Sequence, residues 1–164
     1  MLKSKSLAML FVSMGLIAVM AVTLISYLKS DTTSLANTVT VSEDGVVKES
    51  IEISSMTLNP DESRENYIFL RSEIDGNFNV TISFEEIQNG DLKNFVNVSV
   101  LVNDIAVQDE TLLNLLSGTA ISFNENLNKT DAVIVKIVYK MPKSVGNEAQ
   151  GTTASFNIRI KIQN

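Results

Sequence analysis

Two pairs of adjacent carboxylates are the residues of this chain best suited to chemistry. Asp61 and Glu62 follow Pro60 in a predicted turn, and Glu85 and Glu86 end a predicted strand. Such pairs can act as a general acid and base or can ligate Ca²⁺. Neither pair has the alternating Asp, Asn and Gly spacing of a calcium loop, so we interpret both as solvated charges at turns.

Several residue types that carry most enzyme chemistry do not occur in this sequence. It contains no His, no Cys and no Trp, although His is the commonest general base and shares with Cys the ligation of zinc. Three Asn-x-Ser/Thr sequons begin at Asn79, Asn97 and Asn128. Two of them lie inside predicted strands, and matches to so short a motif are mostly accidental. We therefore predict a protein that is not an enzyme and has no catalytic residues, metal ligands or cofactor.

An uncharged apolar segment of 22 residues lies near the N-terminus, between Leu7 and Leu28. As a helix it would span roughly 33 Å at about 1.5 Å per residue, which is enough to cross a bilayer. Lys3 and Lys5 precede it and Lys29 follows it. This arrangement favours a cytoplasmic N-terminus and export of everything beyond the segment. Its expected partners are the membrane and the export machinery.

Two interpretations of this segment remain open. As a cleaved signal peptide it would be cut after the Ser-Leu-Ala sequence that ends at Ala36, which leaves Asn37 as the first residue. As an uncleaved anchor it would hold the protein at the membrane, since the apolar run is longer than the core of an ordinary signal peptide. The expected domains are residues 1–36, a signal peptide or anchor with a linker, and residues 37–164.

The portion beyond the apolar segment, residues 31–164, is strongly acidic. It carries all 19 acidic residues and 10 of the 13 basic ones, which gives a net charge of −9. Binding to nucleic acid or to anionic lipid requires basic patches, so neither is an expected partner. An acidic surface of this kind suits a soluble particle outside the cell.

Alternation of apolar and polar residues predicts strands along most of this portion. The clearest runs are residues 78–84 and 95–103, and the strongly apolar run 132–141 predicts a central strand. Residues 109–118 instead predict one short helix, because four leucines lie at helical spacing before a glycine. Seven or eight short strands without intervening helices favour an all-β fold, an antiparallel β-sandwich of jelly-roll type.

The chain closes on a polar loop that runs into one strictly alternating segment. Four apolar residues, Phe156, Ile158, Ile160 and Ile162, alternate with polar ones, which predicts a last strand with one buried face. The loop before it, residues 143–153, would carry the chain between two sheets while staying solvated. Gly146 and Gly151 would supply its turns, and Asn147 and Gln150 would hydrogen-bond to neighbouring backbone.

This closing segment resembles the C-terminal signature of the TasA/camelysin family of exported Gram-positive proteins. Residues 54–87 and 109–116 are similar to the turn with its strand pair and to the short helix of the same family. The family usually has Pro-Gly-Asp at that turn, where this chain has Pro-Asp-Glu. The positions that carry the signature, all expected to be structural, are Met141, Pro142, Asn147, Gln150, Gly151, Phe156 and Gln163.

The resemblance implies a jelly-roll domain, export with a SipW-type signal peptide, and assembly into extracellular biofilm-matrix fibres. Some members of the family carry a metallopeptidase label, which the absence of His argues against in this chain. The resemblance therefore favours a non-enzymatic structural protein of the cell surface or the extracellular matrix.

A short β-prone segment lies directly ahead of the predicted sandwich. A loosely tethered N-terminal strand can pair with its own sheet or with the exposed edge of a neighbour, and repeated pairing with neighbours builds filaments. We therefore predict self-association into fibres by strand donation. The alternative is a membrane-anchored extracellular binding module that retains the helix between Leu7 and Leu28. The residues of the possible donor strand are Asn37, Thr38, Val39, Thr40 and Val41.

Overall fold

The computed structural model of this chain describes residues 36–42 and 46–164. The apolar segment between Leu7 and Leu28 lies outside these residues, and within them no helix is long and apolar enough to cross a membrane. In chain order the described elements are β1 (Ala36–Val41), β2 (Val46–Met56), β3 (Ser63–Ser72), β4 (Gly76–Gln88), β5 (Asn97–Val102), β6 (Ile105–Thr111), α1 (Leu112–Leu116), β7 (Ile121–Leu127), β8 (Val133–Lys140) and β9 (Ala154–Gln163).

The described strands form two sheets that pack against each other as a sandwich. One sheet has the strand order β1-β3-β8-β5-β6, and the other has the order β2-β9-β4-β7. Neighbouring strands are antiparallel except β1, which runs parallel to β3. The structure confirms an all-β sandwich with one short helix and corrects the purely antiparallel prediction at this single pair of strands.

The core comes from the inward faces of both sheets, where alternate residues of each strand are apolar. In β9 and in residues 78–84 of β4 this alternation is unbroken. A fully buried Phe, Leu, Ile or Val contributes about 1.5–3 kcal/mol relative to an exposed one. The strands predicted from residues 78–84 and from the closing segment are therefore confirmed with the predicted facing. Their inward side chains, none more than 5% exposed, are Phe78, Val80, Ile82, Phe84, Phe156, Ile158, Ile160 and Ile162.

The strand predicted to be central, β8, is the middle strand of the five-stranded sheet. It pairs with β3 on one side and with β5 on the other, so both edges of its backbone are hydrogen-bonded. Its inward residues are buried, whereas Ile134 on its outward face is 39% exposed. The apolar run thus identified the position of the strand, although only one of its two faces is covered.

Two strands, β6 and β7, were not predicted from the sequence, and both lie at sheet edges. The tight turn before β6 uses Asn103 and Asp104, with φ angles of 48° and 64°, the conformation that a two-residue hairpin requires. Residues 109–111 belong to β6 and not to the predicted helix. The helix begins at Leu112 because the Thr111 hydroxyl accepts a hydrogen bond from the backbone N–H of Asn114 at 3.2 Å and caps it.

Candidate functional site

The loop between β8 and β9 crosses from one sheet to the other, as the sequence predicted. At its start Met141 is fully buried. The Met141 N–H donates to the carbonyl of Glu62 at 3.1 Å, and its carbonyl accepts from the N–H of Asp61 at 3.1 Å. Two of the stretches similar to the TasA/camelysin family, the turn near Pro60 and the Met141-Pro142 pair, are therefore bonded to each other.

The polar signature residues shape the middle of the same loop. The backbone N–H of Gln150 donates to the carbonyl of Asn147 at 3.0 Å, and its side-chain amide donates to Asn147 Oδ1 at 3.2 Å. The two side chains therefore bind each other, where the sequence analysis expected bonds to neighbouring backbone. Gly151 has a φ of +74°, which favours glycine, whereas Gly146 has an ordinary φ of −83°.

Phe156 links the two sheets through the core. Its ring centroid lies 5.8 Å from that of Phe84 in the same sheet and 5.8 Å from that of Tyr139 in the opposite sheet. Gln163, by contrast, is the last residue of β9 and is exposed. The signature residues are thus divided between core and exposed loop, and the structure does not bring them together in one cleft.

Two buried polar groups beside this aromatic cluster were not anticipated from the sequence. Among the described residues, the Tyr139 hydroxyl and the Asn66 side-chain nitrogen, Nδ2, have no hydrogen-bond partner. Burial raises the pKa of Tyr139 well above its ordinary value. Asn66 lies opposite Ile137, and Tyr139 lies opposite Arg64, so the two are diagonal neighbours on the inward face. No sequence signal marks them, because their isolation depends on what the other sheet places against them.

Three of the four carboxylates in the two pairs, those of Glu62, Glu85 and Glu86, make local structural contacts. Glu62 Oε2 accepts hydrogen bonds from the backbone N–H of Asn59 at 2.8 Å and from its side-chain amide at 3.0 Å, which closes the turn before β3. Glu85 pairs with Arg159, and Glu86 pairs with a lysine at 2.6 Å. Among the described residues there is no group of three or more His, Cys, Asp or Glu that could hold a metal ion.

The predicted donor strand is present as β1, at one edge of the five-stranded sheet. It runs parallel to β3 in an unbroken register from Ala36 opposite Tyr67 to Val41 opposite Ser72. Val39 and Val41 enter the core at 2% and 0% exposure, while the threonines between and before them are exposed. In this single chain β1 therefore completes its own sheet.

The opposite edge of the sandwich leaves a cleft of about 210 Å³ between β6 and β7, lined by four apolar residues and by Asn103, Asn124 and Glu125. Val102, Val107 and Phe123 line it, together with Ile105, which is 72% exposed. This cleft follows from the position of both strands at sheet edges, where no other described strand covers the inward-facing side chains. Sequence reasoning missed the cleft because it missed both strands.

A second surface feature lies on the outward face of the four-stranded sheet, where a shallow groove has a volume of about 370 Å³. Lys48 of β2 lies directly opposite Lys161 of β9, and Arg159 lies between Ser50 and Ser83 on the adjoining strands. All five residues line the groove. The members from β2 and β9 are more than 100 positions apart in the sequence, so only the strand register shows that they meet.

No family model matches the sequence, and no curated protein matches it. Solved structures that are similar include the pre-peptidase C-terminal domain of a collagenase from Bacillus anthracis, at 10% identity and a TM-score of 0.38, over 79% of this chain and 98% of that one. A β-glucosidase from Paenibacillus barengoltzii matches at 13% identity and a TM-score of 0.35, over 77% of this chain and 11% of that one. Dimeric latent PorU from Porphyromonas gingivalis matches at 12% identity and a TM-score of 0.32, over 81% and 14%. At these TM-scores the matches assign neither a family nor a function.

Proposed function

We propose that this chain is an exported, non-enzymatic structural subunit of the cell surface or of an extracellular biofilm matrix, and that its copies join by exchanging β1. The observation that carries the proposal is the position of β1. Among the described strands it lies at a sheet edge and pairs with β3 alone, in parallel, and it directly follows the predicted export segment and linker.

The strand order supports the idea that β1 is an addition to a complete fold. Without β1 the two sheets read β2-β9-β4-β7 and β3-β8-β5-β6. Eight strands in this order, with successive strands returning across both sheets, form a jelly roll. On this interpretation the sandwich keeps its full set of strands when β1 leaves, so β1 is free to serve another copy.

Exchange of β1 would preserve the contacts that the single chain makes. A β1 donated to β3 of a second copy would keep the same parallel register and bury the same two valines, Val39 and Val41. What changes is that β1 is then linked through residues 42–45 to the β2 of another copy. Because each copy then donates at one place and accepts at another, the contact is head-to-tail and builds a filament when it does not close.

The sequence supports export, and it leaves two outcomes at the membrane. Removal of residues 1–36 would free the start of β1 and release the subunit, whereas retention of the segment between Leu7 and Leu28 would anchor a binding module. The N-terminal residue of the protein recovered from cells separates the two. Asn37 or a close neighbour supports the released subunit, and an intact Met1 in the membrane fraction supports the anchored module.

A disulfide between β1 and β3 tests strand exchange directly, because the chain has no cysteine of its own. Thr40 and Arg71 are partners in the parallel register, and both are exposed. We expect the Thr40→Cys/Arg71→Cys variant to stay monomeric when oxidised at high concentration and to form fibres after reduction, since the crosslink keeps β1 in its own chain. Analytical ultracentrifugation and electron microscopy would measure this.

The matched control places the same crosslink between strands that are not exchanged. Thr81 and Ser122 are opposite each other on β4 and β7, and their hydroxyls lie 3.2 Å apart. Oxidised Thr81→Cys/Ser122→Cys protein should assemble as the wild type does. Fibres from the oxidised Thr40→Cys/Arg71→Cys variant, or wild-type protein that remains monomeric at high concentration, would contradict exchange. Loss of folding on deletion of residues 37–41 would contradict the idea that β1 is an addition to a complete sandwich.

A further inference from the structure

The outward face of the four-stranded sheet carries two lysines in an unfavourable arrangement. Lys48 and Lys161 are direct partners in the register between β2 and β9, and Thr81 lies on the other side of Lys161. Like charges directly opposite each other destabilise a sheet. Among the described residues neither lysine forms an ion pair with a carboxylate. The pairing of Lys48 with Lys161 therefore does not itself stabilise the sheet.

Two residues along β9 from Lys161, the outward face of the groove carries one further cation and two hydroxyl groups. Arg159 lies between Ser50 and Ser83. Its guanidinium is engaged by Glu85 from the row beyond, since Nε donates to Oε2 at 2.7 Å and Nη2 binds the same oxygen. Arg159 is therefore paired with Glu85, whereas the two lysines have no carboxylate partner within the described part of the chain.

The groove itself has a cationic floor although the exported portion as a whole is acidic. Its lining also includes Glu49 and Ile160, which are direct partners in the register. Both alternate toward the other face of the sheet, where Ile160 is only 1% exposed. The outward-facing side chains that line the groove are therefore cations and hydroxyls.

We propose that this groove binds the phosphate groups of a linear phosphodiester polymer that carries no bases, a role distinct from assembly through β1. Ammonium groups act as point charges toward phosphate, and neighbouring hydroxyls donate further hydrogen bonds to its oxygens. Because Glu85 already engages the guanidinium of Arg159, the ammonium groups of the two lysines are the cations left to bind the polymer.

Two other anionic partners fit this face less well. A flat anionic membrane would contact Glu52 and Glu85, which lie opposite Asn157 on the strands at either side of β9, and these carboxylates would repel it. A single polymer chain can instead lie in the groove over the lysines. A strand of nucleic acid stacks its bases on aromatic side chains. The outward positions of the described parts of β2, β9, β4 and β7 bear no aromatic residue.

The test uses an oligomer of glycerol phosphate as the probe and the protein in the form that cells export. We expect the Lys48→Gln/Lys161→Gln variant to bind the oligomer at least about tenfold more weakly than the wild type, by isothermal titration. The matched control, Lys129→Gln/Lys143→Gln, removes the same two charges from loops and should bind within about twofold of the wild type. For the wild type, a plot of the logarithm of the binding constant against the logarithm of the salt concentration should have a slope of about −1.4, because two phosphates of a flexible chain are contacted.

Thermal unfolding accompanies the titration, because removal of two opposed charges should leave the variant at least as stable as the wild type. If the double variant unfolds at a lower temperature, the single Lys48→Gln variant on the edge strand decides the matter. Wild-type affinity in that variant overturns the proposal. The proposal is also overturned if the loop control loses as much affinity as the Lys48→Gln/Lys161→Gln variant, or if the wild type does not bind the oligomer. It is overturned as well if the wild type binds polyglutamate, single-stranded DNA or phosphatidylglycerol vesicles as tightly as the oligomer.

Discussion

The outward faces of the two sheets differ in a way that their strand patterns only partly explain. The four-stranded sheet turns hydroxyl, amide and charged side chains to the outside, which matches the strict alternation of β4 and β9. The five-stranded sheet turns a band of apolar side chains to the outside around the Glu65–Lys136 ion pair. Strict alternation therefore indicates which face of a strand is exposed to solvent. An apolar run indicates a central strand, but it does not show that other elements cover both of its faces. The members of the band are Tyr67, Phe69, Leu101, Ile134 and Val138.

The largest expected effect separates the two faces of β9. Ile160→Asp would place an unpaired carboxylate on a face that is 1% exposed. That costs several kcal/mol, which is comparable with the whole stability of a domain, about 5–15 kcal/mol, so we expect the variant to be unfolded by circular dichroism. Lys161→Asp should fold as the wild type does, since this side chain is exposed and lies opposite Lys48. Similar behaviour of the two variants would mean that the facing of β9 is wrong.

An intermediate effect is expected on the inward face of the five-stranded sheet. Tyr139→Phe removes a buried hydroxyl that has no partner among the described residues and keeps the ring against Phe156. We expect the free energy of unfolding, measured in urea, to rise by about 1 kcal/mol, because an unsatisfied buried polar group is destabilising. The matched control is Tyr67→Phe on the outward face, which loses a 2.6 Å hydrogen bond to Glu65 and should not be stabilised. A Tyr139→Phe protein less stable than the wild type would show that the hydroxyl has a partner.

The smallest expected effect concerns the ion pair within the apolar band. Hydrogen bonds from Lys136 and then Tyr67 lower the pKa of Glu65, and the Glu65 carboxylate in turn raises the pKa of Lys136. The contribution of Glu65 is present above its unfolded pKa, near 4.5, and is lost as the pH falls through its lower folded value. That of Lys136 is present below its unfolded pKa, near 10.5, and is lost as the pH rises through its higher folded value.

We therefore expect Glu65→Gln to lower the free energy of unfolding at neutral pH by about 0.2–1 kcal/mol, the range for an ion pair that solvent still reaches. Urea titrations in acid should show that the difference from the wild type has disappeared below the folded pKa of Glu65. A difference that persists unchanged in strong acid would show that Glu65 acts through packing and not through its charge.

Particular elements show how far the sequence could predict this fold and its candidate sites. The alternation in residues 78–84 and 156–162 predicted both the position of each strand and which of its faces is buried, because a period of two places all the apolar residues on one face. β6 and β7 were missed since edge strands need little apolar character and owe their place to neighbours. The helix was predicted three residues early, because its leucines do not reveal the Thr111 cap.

By itself the sequence determined the strand-rich character of residues 37–164, the central place of β8, and the crossing of the final loop between sheets, all of which follow from local periodicity and turn residues. Only the tertiary structure decided that β1 runs parallel to β3, that Lys48 faces Lys161, and that the Tyr139 hydroxyl is left without a partner among the described residues. The physical reason is that register and burial across sheets depend on residues far apart in the chain. A one-residue shift of register would turn each of these side chains toward the other face.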